Sequence, residues 1–249
     1  MSCRVGSQNR SGFAVSGRLI EREELYMNTF IYGTGNPAKL AHMKNMLAPL
    51  EVKIIGLKET GVAIPEANEN GSTPLENARI KALAYYSVLK RPVFACDSGL
   101  YIDGLPEIEQ PGVHVRMVGG KRLSDAEMTA HYAAIAKRLG GRAIARYRNA
   151  VCLVMGDSEM YEHFGEDIAS TAFYIVDTPH AKRVEGFPLD CLSVDIQTGK
   201  YYYDKAESRS SEDSGQTSGF RAFFEKVIGK GVILWKSKFS PLLLQTQKP

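Results

Sequence analysis

A glycine turn followed by a helix start, at residues 33–39, is the part of the chain best suited to chemistry. Its sequence, GTGNPAK, follows the apolar run TFIY and precedes an amphipathic helical pattern. A strand that turns through glycines into a helix leaves backbone N–H groups and the positive helix end free to hold an anion. Lys39 adds a positive charge in the first helical turn, which a bound anion would compensate. The alternative is a tight turn closed by Asn36 as a helix cap.

Two carboxylates occupy positions where an α/β protein could bind a ligand. Asp97 follows the apolar run 93–96, which we expect to form a strand that ends at Asp97. Open α/β sheets bind ligands beyond the carboxyl ends of their strands. Glu69 lies in an acidic loop, and together the two carboxylates offer the hard oxygen ligands that Mg²⁺ takes beside substrate phosphates. The alternatives are a turn cap at Asp97 and a solvated surface charge at Glu69.

The segment RVEGFPLD, at residues 183–190, leaves two interpretations open. Phe187 could pack in the core or stack on a nucleobase. Asp190 could be a solvated turn residue or an acceptor for the N–H groups of a base.

The elements that must position these residues follow from periodicity and capping signals. Capping boxes at Thr73 and Ser124 open two of the expected helices. We predict helices over 37–48, 73–89, 124–139 and 220–228, strands over 29–32, 52–55, 93–96, 146–155, 160–164, 171–176, 192–196 and 200–203, and a polar loop over 205–218. Early alternation of helices and strands, followed by strands in succession, predicts a mixed α/β sheet with a strand-rich lobe.

Composition limits the classes of partner. The 249 residues carry a net charge of +3, too small to indicate a nucleic-acid surface. No apolar run approaches the roughly 18 residues of a membrane span, so we expect neither partner. The four cysteines are scattered without metal-like spacing, which favours a reducing cytoplasm. We expect a disordered leader or an early start over 1–26, one domain over 27–228 and a tail of unknown role over 229–249.

Several of these motifs, taken in order, resemble the inosine triphosphate pyrophosphatase family, which hydrolyses deaminated purine nucleoside triphosphates. They are TGNPAK at 34–39, ENGSTPLENARIKA at 69–82, CDSGL at 96–100 and PGV at 111–113. The resemblance covers roughly residues 29–228, and several motifs in order are more specific than any one alone.

The resemblance implies an elongated mixed β-sheet flanked by helices, with two lobes around a nucleotide cleft, and a homodimer. It implies Mg²⁺-dependent release of pyrophosphate from ITP, dITP and XTP. Glu69 and Asp97 match metal ligands, and Asp97 also matches the general base. The residues that match substrate contacts are Thr34, Gly35, Asn36, Lys39, Lys81, Ser98, Phe187, Asp190 and Arg221.

The chain departs from the family on the base-reading side. Pro188 and Leu189 stand where glycine and an aromatic residue are usual, and Gly219-Phe220 replaces Ser-His. Cys96 stands where many relatives carry a second acid. Two alternatives follow: the same chemistry on another modified or pyrimidine triphosphate, and a nucleotide-binding protein without catalysis.

Overall fold

The structure is a computed structural model that describes residues 29–64, 66–204 and 215–244, and only the backbone of 230–244. The expected leader 1–26 and residues 205–214 of the expected polar loop lie outside the described residues.

One mixed sheet forms the centre of the fold and confirms the predicted class. Its strands and the helices around it are β1 (Thr29–Tyr32), α1 (Pro37–Leu47), β2 (Lys53–Gly56), α2 (Pro74–Leu89), β3 (Val93–Ile102), β4 (Met117–Val118), β5 (Lys121–Arg122), α3 (Asp125–Arg138), β6 (Arg142–Gly156), β7 (Glu159–Phe164), β8 (Phe173–Val176), β9 (Ser193–Asp195) and α4 (Gly215–Leu244). The sheet order is β2-β1-β3-β6-β8-β9, with β7 also beside β6, while β4 and β5 form a separate pair. Strands β2, β1 and β3 are parallel, and the other pairings are antiparallel.

Strand β3 is longer than its sequence predicts. The expected strand 93–96 continues to Ile102, so Asp97 lies inside a strand and the predicted end there is wrong. The cause is pairing with a distant partner, because β3 pairs with β6 from Val93–Val154 to Ile102–Ala145. Its parallel contact with β1 covers only Val93 and Phe94.

The two largest hydrophobic clusters among the described residues lie along the sheet and are called the first and the second core. The first packs α1 and α4 on the β1–β3 end and includes Phe30, Phe94 and Phe224, each with no exposed surface. The second packs α3 near β8 and includes Tyr132 and Phe173. Burial of large aromatic side chains gives each end of the sheet its own stabilising centre.

The last helix differs from the sequence prediction of a helix over 220–228. α4 begins at Gly215, within the expected polar loop, and extends to Leu244, within the expected tail. The predicted stretch packs into the first core, where Phe220, Phe224 and Val227 recur at helical spacing. No helix in the described parts of the chain combines the length and apolarity needed to cross a membrane.

The remaining local predictions differ mainly at their ends. Ser124 and Glu127 form a complete capping box. Thr73 caps α2, but the Glu76 carboxylate accepts from Ser72 instead of completing that box. The expected strand 200–203 is reduced to a single bridge at Tyr201, because a 3-10 turn (Tyr202–Asp204) follows it.

Gly219 supplies a test of how closely α4 packs. A Cβ at Gly219 would overlap the backbone carbonyl of Asp167. We therefore expect Gly219→Ala to lower the free energy of unfolding by about 1–3 kcal/mol, measured by urea denaturation.

Gly229→Ala is the matched control in the same helix, because a Cβ there meets nothing within 4 Å. It should be neutral or stabilise the protein by up to about 1 kcal/mol. Equal stability of the Gly219→Ala variant and the wild type would contradict the close packing.

Candidate active site

The turn at 33–39 connects β1 to α1 at the edge of the sheet. Gly33 N donates to Phe94 O at 2.7 Å, which holds the start of the turn against β3. Asn36 is the helix cap, since its Oδ1 accepts from Ala38 N at 2.9 Å and Lys39 N at 3.3 Å. Asn36 N in turn donates to Thr34 Oγ1 at 3.2 Å. The structure shows the cap, which uses the N–H groups of the first helical turn. An anion at this turn would therefore meet the positive end of the helix dipole and the Lys39 side chain rather than free helical N–H groups.

A lysine joins the two predicted metal-binding carboxylates. Lys81 Nζ, from α2, lies 2.8 Å from Asp97 Oδ1 and 3.0 Å from Glu69 Oε2. The lysine side chain is 11% exposed and the Asp97 side chain 14%, whereas that of Glu69 is 43% exposed. Burial alone would lower the pKa of Lys81, but the charges and hydrogen bonds of Asp97 and Glu69 outweigh it and raise that pKa.

Lys39 belongs to the same electrostatic cluster. Desolvation by the surrounding protein, followed by the like charge of Lys81, lowers the pKa of Lys39, and the charges of Asp97 and Glu69 oppose this. Because Lys39 retains substantial solvent access, the desolvation is incomplete and the ammonium can meet an incoming anion. The structure thus brings Lys39, Lys81, Glu69 and Asp97 together.

Asn77 is a member of this cluster that the sequence analysis missed. Its side chain is buried, and Nδ2 donates to Asp97 Oδ2 at 3.2 Å while Oδ1 accepts from Gly71 N at 2.8 Å. Asn77 therefore links the loop of Glu69 to Asp97. Its four-residue spacing from Lys81 was the available signal, because residues i and i+4 lie on one helix face.

Ser98 is held by a second buried asparagine. Ser98 Oγ donates to Asn149 Oδ1 at 2.7 Å, and Asn149 Nδ2 donates to Ile168 O at 2.7 Å. Asn149 lies directly opposite Ser98 in the β3–β6 register. No local sequence signal marks Asn149, since only that long-range register brings it to the site.

Cys96 lies beside the cluster as a neutral thiol. Burial raises its pKa to about 12, and the side chain is hydrogen-bonded with Tyr32. A buried thiol of this kind is neither a reactive nucleophile nor a hard oxygen ligand.

The segment 183–190 approaches the turn through Gly186. A Cβ at Gly186 would lie 2.8 Å from Asn36 Nδ2, and the residue has φ +84°. Both the contact and the left-handed backbone require glycine. The predicted base-binding segment and the predicted phosphate turn are therefore neighbours.

The two residues of this segment that differ from the family pattern, Pro188 and Leu189, pack in or next to the second core. Leu189 is 3% exposed in that core, and Pro188 O accepts from Thr129 Oγ1 at 3.0 Å. Phe187 is half-buried. Burial raises the pKa of Asp190 to about 6, and its electrostatic neighbours include Tyr147.

Arg221 contacts the carboxyl-terminal end of α1. Its Nε donates to Met46 O at 2.8 Å, in the last turn of α1, whereas Lys39 is in the first turn. Phe220 is buried in the first core. The structure gives Arg221 a contact between α4 and α1, and its role in substrate binding stays a prediction.

The donors available to a metal are few. Across residues 29–64, 66–204 and 215–244, no group of three or more His, Cys, Asp or Glu side chains is arranged to hold a metal ion. Glu69 and Asp97 supply one bridged pair of carboxylates, which suits a cation whose other ligands are water and substrate oxygens.

Comparisons with known proteins place the chain in a family. The Ham1 family profile matches residues 30–192, more than half of the chain. A dITP/XTP pyrophosphatase of Thermus thermophilus is 29% identical over 199 residues, which cover 78% of this chain and 89% of the relative. That of Rhodopseudomonas palustris is 33% identical over 136 residues, covering 53% of this chain and 63% of the relative. The chain thus spans slightly less than two thirds of the latter relative.

Solved structures agree on the fold. A HAM1 protein from Coxiella burnetii has a TM-score of 0.60 at 24% identity, covering 84% of this chain and 98% of that one. The Staphylococcus aureus Ham1 protein has a TM-score of 0.58 at 21% identity, covering 80% and 98%. The motifs at 34–39, 69–82, 96–100 and 111–113 all fall within the matched residues, and the predicted relationship is confirmed: the chain belongs to the Ham1 family.

Proposed function

We propose that this protein is a nucleoside triphosphate pyrophosphatase that hydrolyses ITP, dITP and XTP to the monophosphate and pyrophosphate. The observation that carries the proposal is the cluster of Lys39, Lys81, Glu69 and Asp97 beside the glycine turn at 33–39. The two lysines can bind the negative charges of a polyphosphate. The two carboxylates can bind a divalent cation and accept a proton from water. Relatives named dITP/XTP pyrophosphatase support the same chemistry.

The proposed cofactor is Mg²⁺, held by Glu69 and Asp97 together with phosphate oxygens. When bound, Mg²⁺ would neutralise phosphate charge and acidify a bound water. The proposed assembly is a homodimer, as the family resemblance implies, and the proposed location is the cytoplasm, which the scattered cysteines favour.

The chain's own residues would perform the remaining steps. Asp97 would accept the proton of the attacking water at a carboxylate oxygen, with Asn77 fixing the orientation of that carboxylate. Lys39 and Lys81 would stabilise the negative charge on the leaving pyrophosphate. The α1 end of the turn, with Thr34, Gly35 and Asn36, and the nearby Ser98 would position the triphosphate.

Base selection would fall to Phe187 and Asp190. A buried acceptor penalises a base that leaves it unpaired, which is how such a site acquires selectivity. The burial of Leu189 in the second core keeps a second candidate open: the same hydrolysis of another modified or a pyrimidine triphosphate.

A pyrophosphate-release assay tests the function. With Mg²⁺, we expect turnover of ITP, dITP and XTP well above that of ATP and GTP. Asp97→Asn should reduce kcat by roughly 100-fold or more, because it removes the general base.

Asp157→Asn is the matched control, because the Asp157 side chain is 82% exposed and pairs with Lys90 away from the cluster. It should retain wild-type activity. Absence of turnover with every triphosphate would refute the proposed enzymatic activity. Preference for a pyrimidine triphosphate would favour the second candidate function.

Gly186→Ala tests the junction between base and phosphate segments. The added Cβ should displace Asn36, and the resulting shift of the turn should lower kcat/KM roughly tenfold or more. Gly199→Ala is the matched control, because Gly199 also has positive φ, +66°, but its Cβ would meet nothing within 4 Å.

Both variants should lose about 1–2 kcal/mol of stability from the left-handed backbone. Only Gly186→Ala should lose activity in steady-state kinetics. Equal losses of activity in the two variants would show that the Asn36 contact is irrelevant.

The burial of the Asp190 carboxyl group predicts that the stability of the protein depends on pH. Burial raises its folded pKa to about 6, above the value of about 3.9 expected in an unfolded chain. The folded state therefore binds more protons between these values, and stability falls as pH rises through 6. Asp190→Asn should raise the melting temperature at pH 8 and change it little at pH 4.5.

Calorimetric or spectroscopic melting curves at both pH values check this. Asp157→Asn, which removes an exposed carboxylate whose pKa is lowered by Lys90, should not stabilise the protein at pH 8. An equal gain for Asp190→Asn at both pH values would show that relief of a buried charge is not the cause.

A further inference from the structure

The position of Lys81 bears on how a divalent cation reaches the site. Its ammonium already lies 2.8 Å from Asp97 Oδ1 and 3.0 Å from Glu69 Oε2. A divalent cation held by Glu69 and Asp97 would need carboxylate oxygens that the ammonium now contacts. The ammonium and the metal ion would therefore compete for these two carboxylates.

The other contacts of Asp97 strengthen this competition. Its second oxygen, Oδ2, accepts from Asn77 Nδ2 at 3.2 Å, so both carboxylate oxygens are already hydrogen-bonded.

The local charge is balanced without a metal. Glu69 and Asp97 contribute two negative charges, and Lys81 with the neighbouring Lys39 contributes two positive ones. A divalent cation entering alone would meet a cluster without net negative charge and would be repelled by its two ammonium groups. A triphosphate, in contrast, would add negative charge and offer both lysines new partners.

We propose that Lys81 is an internal counter-ion that holds Glu69 and Asp97 in the nucleotide-free protein, so that the divalent cation enters only together with the triphosphate. On arrival of the substrate, the Lys81 ammonium transfers from the carboxylates to phosphate oxygens and vacates the place between them. This inference rests on the proposed function, and it adds an order of binding and a second role for Lys81.

Binding of Mn²⁺ to the protein tests the proposal without a catalytic assay. It is measured by the enhanced relaxation rate of water protons around protein-bound Mn²⁺. The method separates protein-bound Mn²⁺ from small complexes in solution, so inorganic tripolyphosphate can replace the nucleotide. Wild-type protein should give no enhancement with Mn²⁺ alone up to about 1 mM, and a clear one with Mn²⁺ plus tripolyphosphate.

Lys81→Gln should bind Mn²⁺ alone at least about tenfold more tightly than the wild type, because the pair of carboxylates then lacks its bridging ammonium and the cluster has a net negative charge. Lys90→Gln is the matched control: Lys90 caps the same helix and pairs with one carboxylate, Asp157, at 3.1 Å. It should behave as the wild type. Adding Asp97→Asn to Lys81→Gln should remove the gain in Mn²⁺ affinity. That result would show that the additional Mn²⁺ binds at this site.

Equal binding of Mn²⁺ to wild type and Lys81→Gln would overturn the proposal. So would wild-type protein that binds Mn²⁺ alone as tightly as it binds Mn²⁺ with tripolyphosphate, a comparison that holds even if the variant does not fold. A gain in Lys81→Gln without pyrophosphate release by the wild type from any triphosphate would refute the proposed function, and only the competition between Lys81 and the divalent cation would stand.

Discussion

The site depends on how short the parallel contact between β1 and β3 is. The two strands pair only at Ile31–Val93 and Tyr32–Phe94, and Gly33 N makes the last bond to β3 before the chain turns away. The same edge of β3 is next bridged at Leu100, by Gly112. Residues 95–99, with Asp97 and Ser98, therefore lie in the interval between the phosphate turn and that bridge. The carboxyl end of β1 lies at this interval, and open α/β sheets bind ligands beyond the carboxyl ends of their strands.

Small side chains then bring α2 close enough to act on that interval. Ala78 and Ala82 are fully buried against Ala95 and Cys152 in a cluster of mostly small residues. Since a helix packs more closely over alanines than over large residues, the polar side chains beside them can reach β3. Asn77 and Lys81 flank this contact, and they make the hydrogen bonds to both oxygens of Asp97. Packing and electrostatics are thus coupled along a single helix face.

The features that could be predicted from the sequence are those that depend on neighbouring residues. The turn at 33–39, the cap at Asn36 and the starts of α2 and α3 depend on neighbouring residues, and the structure contains them. The extension of β3 through Asp97 and the contact of Ser98 with Asn149 depend on pairing with β6, about 50 residues away, and no local signal encodes that register. The full length of α4 was also missed: the helix continues through Gly229 and Gly231, each of which costs only about 1 kcal/mol in a helix.

The departures from the family pattern show which residues remain for base selection. Leu189 belongs to the second core, Phe220 to the first, and Gly219 lies against the Asp167 backbone. Under the proposed function, Asp190 is then the main polar group available to a base, and a half-buried carboxylate gains most from a ligand that donates a hydrogen bond. Hypoxanthine and xanthine carry N1–H, whereas adenine presents an acceptor there. Guanine also carries N1–H, so rejection of GTP requires a second contact, for which the half-buried Phe187 and the tyrosines around Asp190 are the nearest candidates.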